Sequence, residues 1–339
     1  MSLTDFEKAA ELILSSGGTV SVQGARGIGK TALCRRLAAA AAEKGMPAAF
    51  IDAELARGIA GPPASVSMIL VDSPGDTEKT KPDFCSFVGD IIPAGHTAGY
   101  IYGITAAASR ARMMGAKLTV IDSCGWLDYP GVVLAKQNEI EMTAPDYIIV
   151  LQRNHEAEFI ATPFIKRADI CCAVKNVPDA STYSPEIAKA NYRTDMLRAL
   201  GGSRPQIIPF SRATFTNTWL GCGRELRWQY MKAVSGILDS PILHGEQLGK
   251  TLYLLTKGNC TEQQAAEICS MLKVNRAETV DPAAFEDLYA GLEDSEGRFL
   301  APGIIKTIDF EKRQLIISTP ALTVSPVRGI RFGFTRFSV

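Results

Sequence analysis

Gly24-Ala25-Arg26-Gly27-Ile28-Gly29-Lys30-Thr31 satisfies the pattern G-x-x-x-x-G-K-[ST] at every constrained position. Thr19-Val20-Ser21-Val22 before it reads as a short strand, and the residues after it read as a helix through Lys44. A strand entering the glycines and a helix leaving them is the context that makes this pattern a phosphate-binding P-loop. Glycines let successive backbone N–H groups point inward around phosphate oxygens, and the start of the helix adds positive potential. Ala25, Arg26, Gly27 and Ile28 would line the bound triphosphate. Lys30 is expected to reach its β- and γ-phosphates, and the Thr31 hydroxyl to bind Mg²⁺.

Outward from the loop, short apolar runs alternate with helical spacing. Phe6–Leu14 carries apolar residues at helix period and stops at Gly17-Gly18. Further strands are expected at Ala48–Ile51, Cys85–Val88, Lys117–Ile121 and Tyr147–Leu151, with a helix over Ile101–Met114. Strands alternating with helices predict an α/β fold, a doubly wound parallel sheet of the P-loop NTPase type. Ligands in such sheets bind beyond the carboxyl ends of the strands, where Gly24, Asp52, Asp90 and Asp122 all fall. An acid at a neighbouring strand end should sit near the metal. Asp52 and Asp122 both qualify, and spacing does not choose between them. Beyond Gly201-Gly202-Ser203-Arg204-Pro205 the texture changes to β-like stretches with one clear helix, Thr261–Leu272. Residues 1–204 are therefore expected to form the P-loop domain and residues 205–339 a smaller α+β domain.

Composition narrows the classes. The chain has 339 residues, 46% hydrophobic and 21% charged, which excludes a disordered polymer. Its 36 basic and 36 acidic residues cancel, so nucleic-acid binding would have to come from a local patch. Eight scattered cysteines without a Cys-x-x-Cys pair, and three histidines, argue against a structural zinc site. The N-terminus lacks the basic and apolar regions of a signal peptide, and no run of 18 apolar residues is present. These features predict a cytoplasmic protein with reduced thiols and no membrane attachment. The tail Arg328, Arg331 and Arg336, interleaved with Phe332, Phe334 and Phe337, suits either a base-stacking strand or a half-buried edge strand.

Several stretches together resemble one family. Ala48–Ser67, AAFIDAELARGIAGPPASVS, is similar to the second strand and loop of the polynucleotide 5′-hydroxyl kinases. These are P-loop kinases related to the pre-mRNA cleavage factor, the rRNA-processing kinases and the archaeal RNA kinases. Phe87-Val88-Gly89-Asp90 with Pro93-Ala94-Gly95-His96 resembles the family's next strand and loop. Ser123-Cys124-Gly125-Trp126 resembles its T-x-G-W clasp, and Lys189, Arg193 and Arg198 fall on its arginine-bearing lid helix, near 184–200. Ala290–Asp294, Ile308–Pro320 and Gly329–Gly333 resemble its accessory domain. Two positions depart from the pattern: Glu54 stands where the family has a catalytic Asp, and Arg57 where it has Gln.

The resemblance implies transfer of the ATP γ-phosphate to a 5′-hydroxyl of RNA or DNA, with Mg²⁺ and with RNA-processing proteins as possible partners. It implies Glu54 as general base and Asp52 in the metal shell. Ser123, Gly125 and Trp126 would clasp the triphosphate, and Arg193 with Arg198 would close over the moving phosphoryl group. Asp90, Pro93, Gly95 and His96 would receive the acceptor strand. The departures at Glu54 and Arg57 leave two further readings open: a nucleotide-binding scaffold without transfer, and an ATPase without a nucleic-acid acceptor.

Overall fold

The computed structural model describes residues 6–177 and 184–338, and the chain divides into two compact units, Met1–Ala199 and Leu200–Val339. In the first, α1 (Phe6–Ser16) leads to β1 (Gly18–Gly24), α2 (Lys30–Glu43) and β2 (Ala48–Asp52). There follow β3 (Ser65–Val71), β4 (Phe84–Phe87), α3 (Thr97–Met113) and β5 (Leu118–Asp122). The unit closes with α4 (Val132–Thr143), β6 (Tyr147–Gln152), the short α5 (Glu158–Ala161), β7 (Cys171–Asn176) and α6 (Pro185–Ala199).

One seven-stranded sheet, in the order β4-β3-β2-β5-β1-β6-β7, carries the unit. From β2 to β7 all neighbours run parallel, with β1 between β5 and β6. Helices cover both faces. Ile13, Leu37, Ala38 and Ala41 pack on Val20, Val22 and Phe50 on one side. Tyr100, Ile104, Ala107 and Ala111 of α3 pack on Ile51, Met68 and Ile121 on the other. This is the expected doubly wound α/β sheet, with one correction: it is not wholly parallel. Ser65–Val71, which the sequence reading placed partly in a loop, is a buried strand antiparallel to β2, and β4 is antiparallel to β3. Two reversals point β4 the same way as β2, so Gly89-Asp90 still emerges at the carboxyl end. It does so from the sheet edge, with β3, β2 and β5 between it and β1.

The chemistry of β1 shows why its alternation misleads. Thr-Val-Ser-Val-Gln looks half-solvated, yet Ser21 and Gln23 are fully buried. Their polar face meets α4, where Gln23 Nε2 donates to Glu139 at 2.9 Å. A buried polar residue must find such a partner.

The second unit holds β8 (Arg204–Pro209), β9 (Thr214–Thr216), β10 (Arg224–Glu225), α7 (Trp228–Leu238), β11 (His244–Leu248), β12 (Thr251–Leu255), α8 (Glu262–Leu272), β13 (Arg276–Val280), β14 (Leu288–Glu293), β15 (Phe299–Asp309), β16 (Gln314–Thr319) and β17 (Gly329–Arg336). They form a four-stranded sheet, β10-β11-β12-β13, and a six-stranded one, β8-β16-β15-β14-β17-β9. The sequence reading saw one helix here; α7 is the second. The arginine-and-phenylalanine tail is strand β17, which lies inside its sheet between β14 and β9 rather than at an edge. Phe332 and Phe337 are buried, and Arg331 donates to Glu293 at 2.7 Å, so of the tail's three rings only Phe334 is exposed. No helix among the described residues is long and apolar enough to cross a membrane.

Candidate functional site

The P-loop joins β1 to α2 with Gly24, Gly27 and Gly29 all at positive φ. Gly24, at φ +139, also presses against the Leu151 carbonyl, which leaves no room for a side chain. Lys30 is buried and folds back to donate to the Ala25 carbonyl at 3.0 Å. Thr31 Oγ1 donates to Asp122 Oδ2 at 2.5 Å, from the first turn of α2 to the end of β5. The other Asp122 oxygen is buried without a hydrogen-bond partner. An orphaned carboxylate oxygen beside the P-loop threonine fits the coordination shell of Mg²⁺, which prefers hard oxygen donors. Burial pushes the Asp122 carboxyl up to about 6, against the opposing pull of the Lys30 charge.

Asp52 ends β2 directly opposite Asp122 in the register. Burial first, and the Asp122 charge second, push its carboxyl up to about 7. Its oxygens are taken by backbone: Oδ2 accepts from Ile59 and Ala60, both at 3.0 Å, and Oδ1 from Glu54 at 3.3 Å. Asp52 thereby shapes the loop that carries Glu54.

Glu54 is buried and bridges that loop to the one after β5. Its carboxylate accepts the Gly125 N–H at 2.8 Å and the Cys124 thiol at 3.6 Å, and lies 3.9 Å from Arg26 Nε. Gly125 has no space for a Cβ, which would lie 2.6 Å from Lys30 Nζ and 2.8 Å from the Arg26 nitrogen. The glycine is therefore the contact through which the β5 loop touches the P-loop. Arg26 stacks over the Trp126 ring at 4.8 Å, and the buried Trp126 Nε1 has no partner. P-loop, Glu54, Gly125 and Trp126 thus converge. Ser123, expected in the clasp, does not join them: it is fully buried and its hydroxyl accepts from Lys136 Nζ, which turns it toward the core.

The lid residues separate. Positions 193 and 198 lie about 140° apart on a helix, so they cannot share a face. Arg198 donates to the Gly58 carbonyl and pairs with Asp195 at 3.2 Å, while Arg193 is exposed. Buried Asp195 also takes Arg57 Nε at 2.8 Å and the Gly58 N–H at 3.2 Å. The unusual Arg57 is therefore matched by an acid on α6. Beyond β4, Asp90 pairs with His96 Nε2 at 3.2 Å. The Pro93 carbonyl accepts from the His96 N–H and Thr97 Oγ1, and Gly95 turns at φ +77, so the loop folds on itself into α3. Burial and, next, the Asp90 charge push the Tyr192 hydroxyl up to about 12, which places α6 near this loop as well.

One set of residues was not anticipated. Lys136 and Glu139, both buried, pair at 3.2 Å beneath the β5 loop. Lys136 also donates to the Cys124 carbonyl at 2.8 Å, and the Tyr100 hydroxyl accepts the Cys124 N–H at 2.9 Å. The available signal was a lysine directly after the apolar Val132-Val133-Leu134-Ala135 turn. Among the described residues no group of three or more His, Cys, Asp or Glu side chains is arranged to hold a metal by itself.

Comparison with known proteins places these features in a lineage. Residues 24–200 match the family described as mRNA cleavage and polyadenylation factor CLP1 P-loop. A polyribonucleotide 5′-hydroxyl-kinase of Pyrococcus furiosus is 29% identical over 98% of this chain and 92% of its own length. One from Methanocaldococcus jannaschii is 26% identical over 98% and 89%. The solved structure of a wild-type Clp1p–Pcf11p complex aligns with a TM-score of 0.60 at 13% identity, covering 97% of this chain and 77% of that one.

Proposed function

The chain belongs to the mRNA cleavage and polyadenylation factor CLP1 P-loop family, and from that premise we propose that it is an ATP- and Mg²⁺-dependent polynucleotide 5′-hydroxyl kinase. Its relatives of similar length are named polyribonucleotide 5′-hydroxyl-kinases, which favours RNA as the acceptor. The observation that carries the reading is the bridge from Glu54 through the Gly125 N–H to the P-loop lysine. It sets a carboxylate beside the place where the γ-phosphate would lie.

In this reading the P-loop amides and Lys30 hold the triphosphate, and Trp126 with Arg26 walls its open side. Thr31 and Asp122 would hold Mg²⁺, which when bound would supply charge neutralisation to the transferring phosphate. Asp52 keeps the Glu54 loop in shape rather than meeting the metal. Glu54 takes the proton of the 5′-hydroxyl as its oxygen bonds to the γ-phosphorus. The bond from that phosphorus to the β,γ-bridging oxygen breaks, and ADP leaves. Arg198, anchored at Gly58, brings α6 over the site. The loop at Asp90, Pro93, Gly95 and His96 lies toward the acceptor side, four strand spacings or about 19 Å from β1. RNA-processing proteins are the partner class this reading expects.

The test uses γ-labelled ATP, Mg²⁺ and RNA and DNA oligonucleotides with 5′-hydroxyl or 5′-phosphate ends. Label should appear on 5′-hydroxyl ends alone and vanish in Lys30→Ala. Glu54→Gln should lower transfer by about 10²–10⁴-fold, the usual worth of a general base. ATP binding without label on any end would overturn the kinase and leave a scaffold; hydrolysis indifferent to added ends would leave an ATPase.

A further inference from the structure

The second unit carries an aromatic side chain that folding leaves in water. Trp228, in the first turn of α7, is 70% exposed. The other two tryptophans are accounted for: Trp126 stacks with Arg26, and Trp219 with Tyr253 at 5.1 Å. Cations surround Trp228. Arg227 is the residue before α7, and Lys232 lies one helical turn beyond the tryptophan, on the same face. Arg224 joins them through the sheet: it pairs with Gln247, which pairs with Leu252, so all three point to one face. Leu252 packs with Val234 and Leu238 of α7, which fixes that face as the one α7 covers. Arg224, Arg227 and Lys232 are exposed, and none forms an ion pair among the described residues. The only carboxylate between Gly221 and Leu238 is Glu225, on the opposite sheet face and paired with Arg313 at 2.8 Å.

An exposed indole flanked by three unneutralised cations is a local excess of positive charge in a chain whose charges cancel overall. It matches how single strands are held: a base stacks on the ring while basic side chains track the phosphates. The phenylalanine-rich tail presents less of this arrangement, because Phe332 and Phe337 are buried, Phe334 is less exposed than Trp228, and Arg331 is paired. We propose that Trp228, with Arg224, Arg227 and Lys232, forms a binding site for single-stranded RNA on the second unit. The assignment of RNA rests on the kinase reading; the stacking-and-phosphate geometry does not. Phosphoryl transfer itself needs only the terminal nucleotide, so this site acts on affinity and leaves the chemistry untouched.

The experiment measures fluorescence anisotropy of a 3′-labelled single-stranded RNA, longer than the ~4–16 nucleotides such grooves occupy. It uses the full chain without nucleotide and both 5′-hydroxyl and 5′-phosphate ends, so binding is read independently of transfer. Trp228→Ala should weaken binding about tenfold, within the range of one lost base stack, and Trp228→Phe should restore most of it. Replacing Arg224, Arg227 and Lys232 together by Ala should flatten the slope of log affinity against log salt by about 2, at ~0.7 per phosphate contact. In the kinase assay Trp228→Ala should raise KM for the long RNA about tenfold at unchanged kcat, and leave a nucleoside 3′-phosphate acceptor unaffected. Unaltered RNA affinity and salt slope in both variants would overturn the proposal in favour of a protein occupant. RNA bound through Trp228 without any transfer would instead sink the kinase reading and leave this site standing.

Discussion

Asp122 concentrates the conflict between stability and chemistry at a single side chain. Its carboxyl lies at about 6 rather than 3.8, so the folded chain holds a proton where the unfolded chain has released it. By linkage, stability from this group falls as pH rises from ~4, and the penalty is complete above the folded value. Asp122→Asn should therefore stabilise the ligand-free protein at pH 8 by on the order of 2 kcal/mol, with little change near pH 4, while abolishing Mg²⁺-dependent transfer. Urea unfolding of both proteins at the two pH values reads this. Equal destabilisation at both would mean that the Thr31 hydrogen bond outweighs the buried charge. In the sequence Asp52 and Asp122 looked alike, each an acid ending an apolar run. What separates them is that Ile59 and Ala60 return to bond Asp52, a contact made only once the intervening loop folds. Ser123 failed for the same kind of reason: its partner, Lys136, lies on the helix beyond the loop.

At the scale of elements, α6 is tied to the loop after β2 by one buried acid with two cationic neighbours. Asp195→Asn keeps the volume and loses the charge. Because Arg57 and Arg198 are themselves partly exposed, at 31% and 48%, they can turn to water, and the cost should be only about 1 kcal/mol. Loosening the element that approaches the site should cost more in rate, with kcat lowered about tenfold. Arg57→Gln should stay within about threefold of the parent, since the amide can still donate to Asp195. Steady-state kinetics beside denaturant melts separate the effects; a rate loss no larger than the stability loss explains would remove α6 from the mechanism. Helix α6 followed from the resemblance of residues near 184–200 to a lid helix, whereas the parallel strands β1, β2, β5 and β6 were legible as short apolar runs. The β3–β4 edge was not, because direction of pairing is invisible in a strand's own residues. Helix α7 was missed because its inward stripe of Met231, Val234 and Leu238 follows an exposed tryptophan and a basic stretch that read as loop.

Over the whole molecule, equal numbers of acidic and basic residues conceal an uneven distribution. Asp52, Glu54 and Asp122 are all buried around one lysine at the P-loop, whereas uncompensated cations gather at Trp228. Composition left nucleic-acid binding to a local patch, and Arg224, Arg227 and Lys232 are the patch on which the RNA proposal rests. The second unit was the less legible half, since its two sheets depend on pairings such as β9 with β17, about a hundred residues apart. The first unit follows from local signals that agree with one another, and its binding site stores the cost of crowded carboxylates until a ligand arrives. Mg²⁺–ATP, binding the folded chain alone, should relieve that cost. At a hundredfold excess over Kd it should add ~2.7 kcal/mol to the opening free energy of the unit it occupies. Hydrogen exchange at the amides of α2 and of Gly125 should slow by about a hundredfold, and ATP without the metal should achieve much less. Lys30→Ala should remove the protection. Protection confined to α2, with Gly125 unchanged, would break the link between the P-loop and the β5 loop on which the position of Glu54 depends.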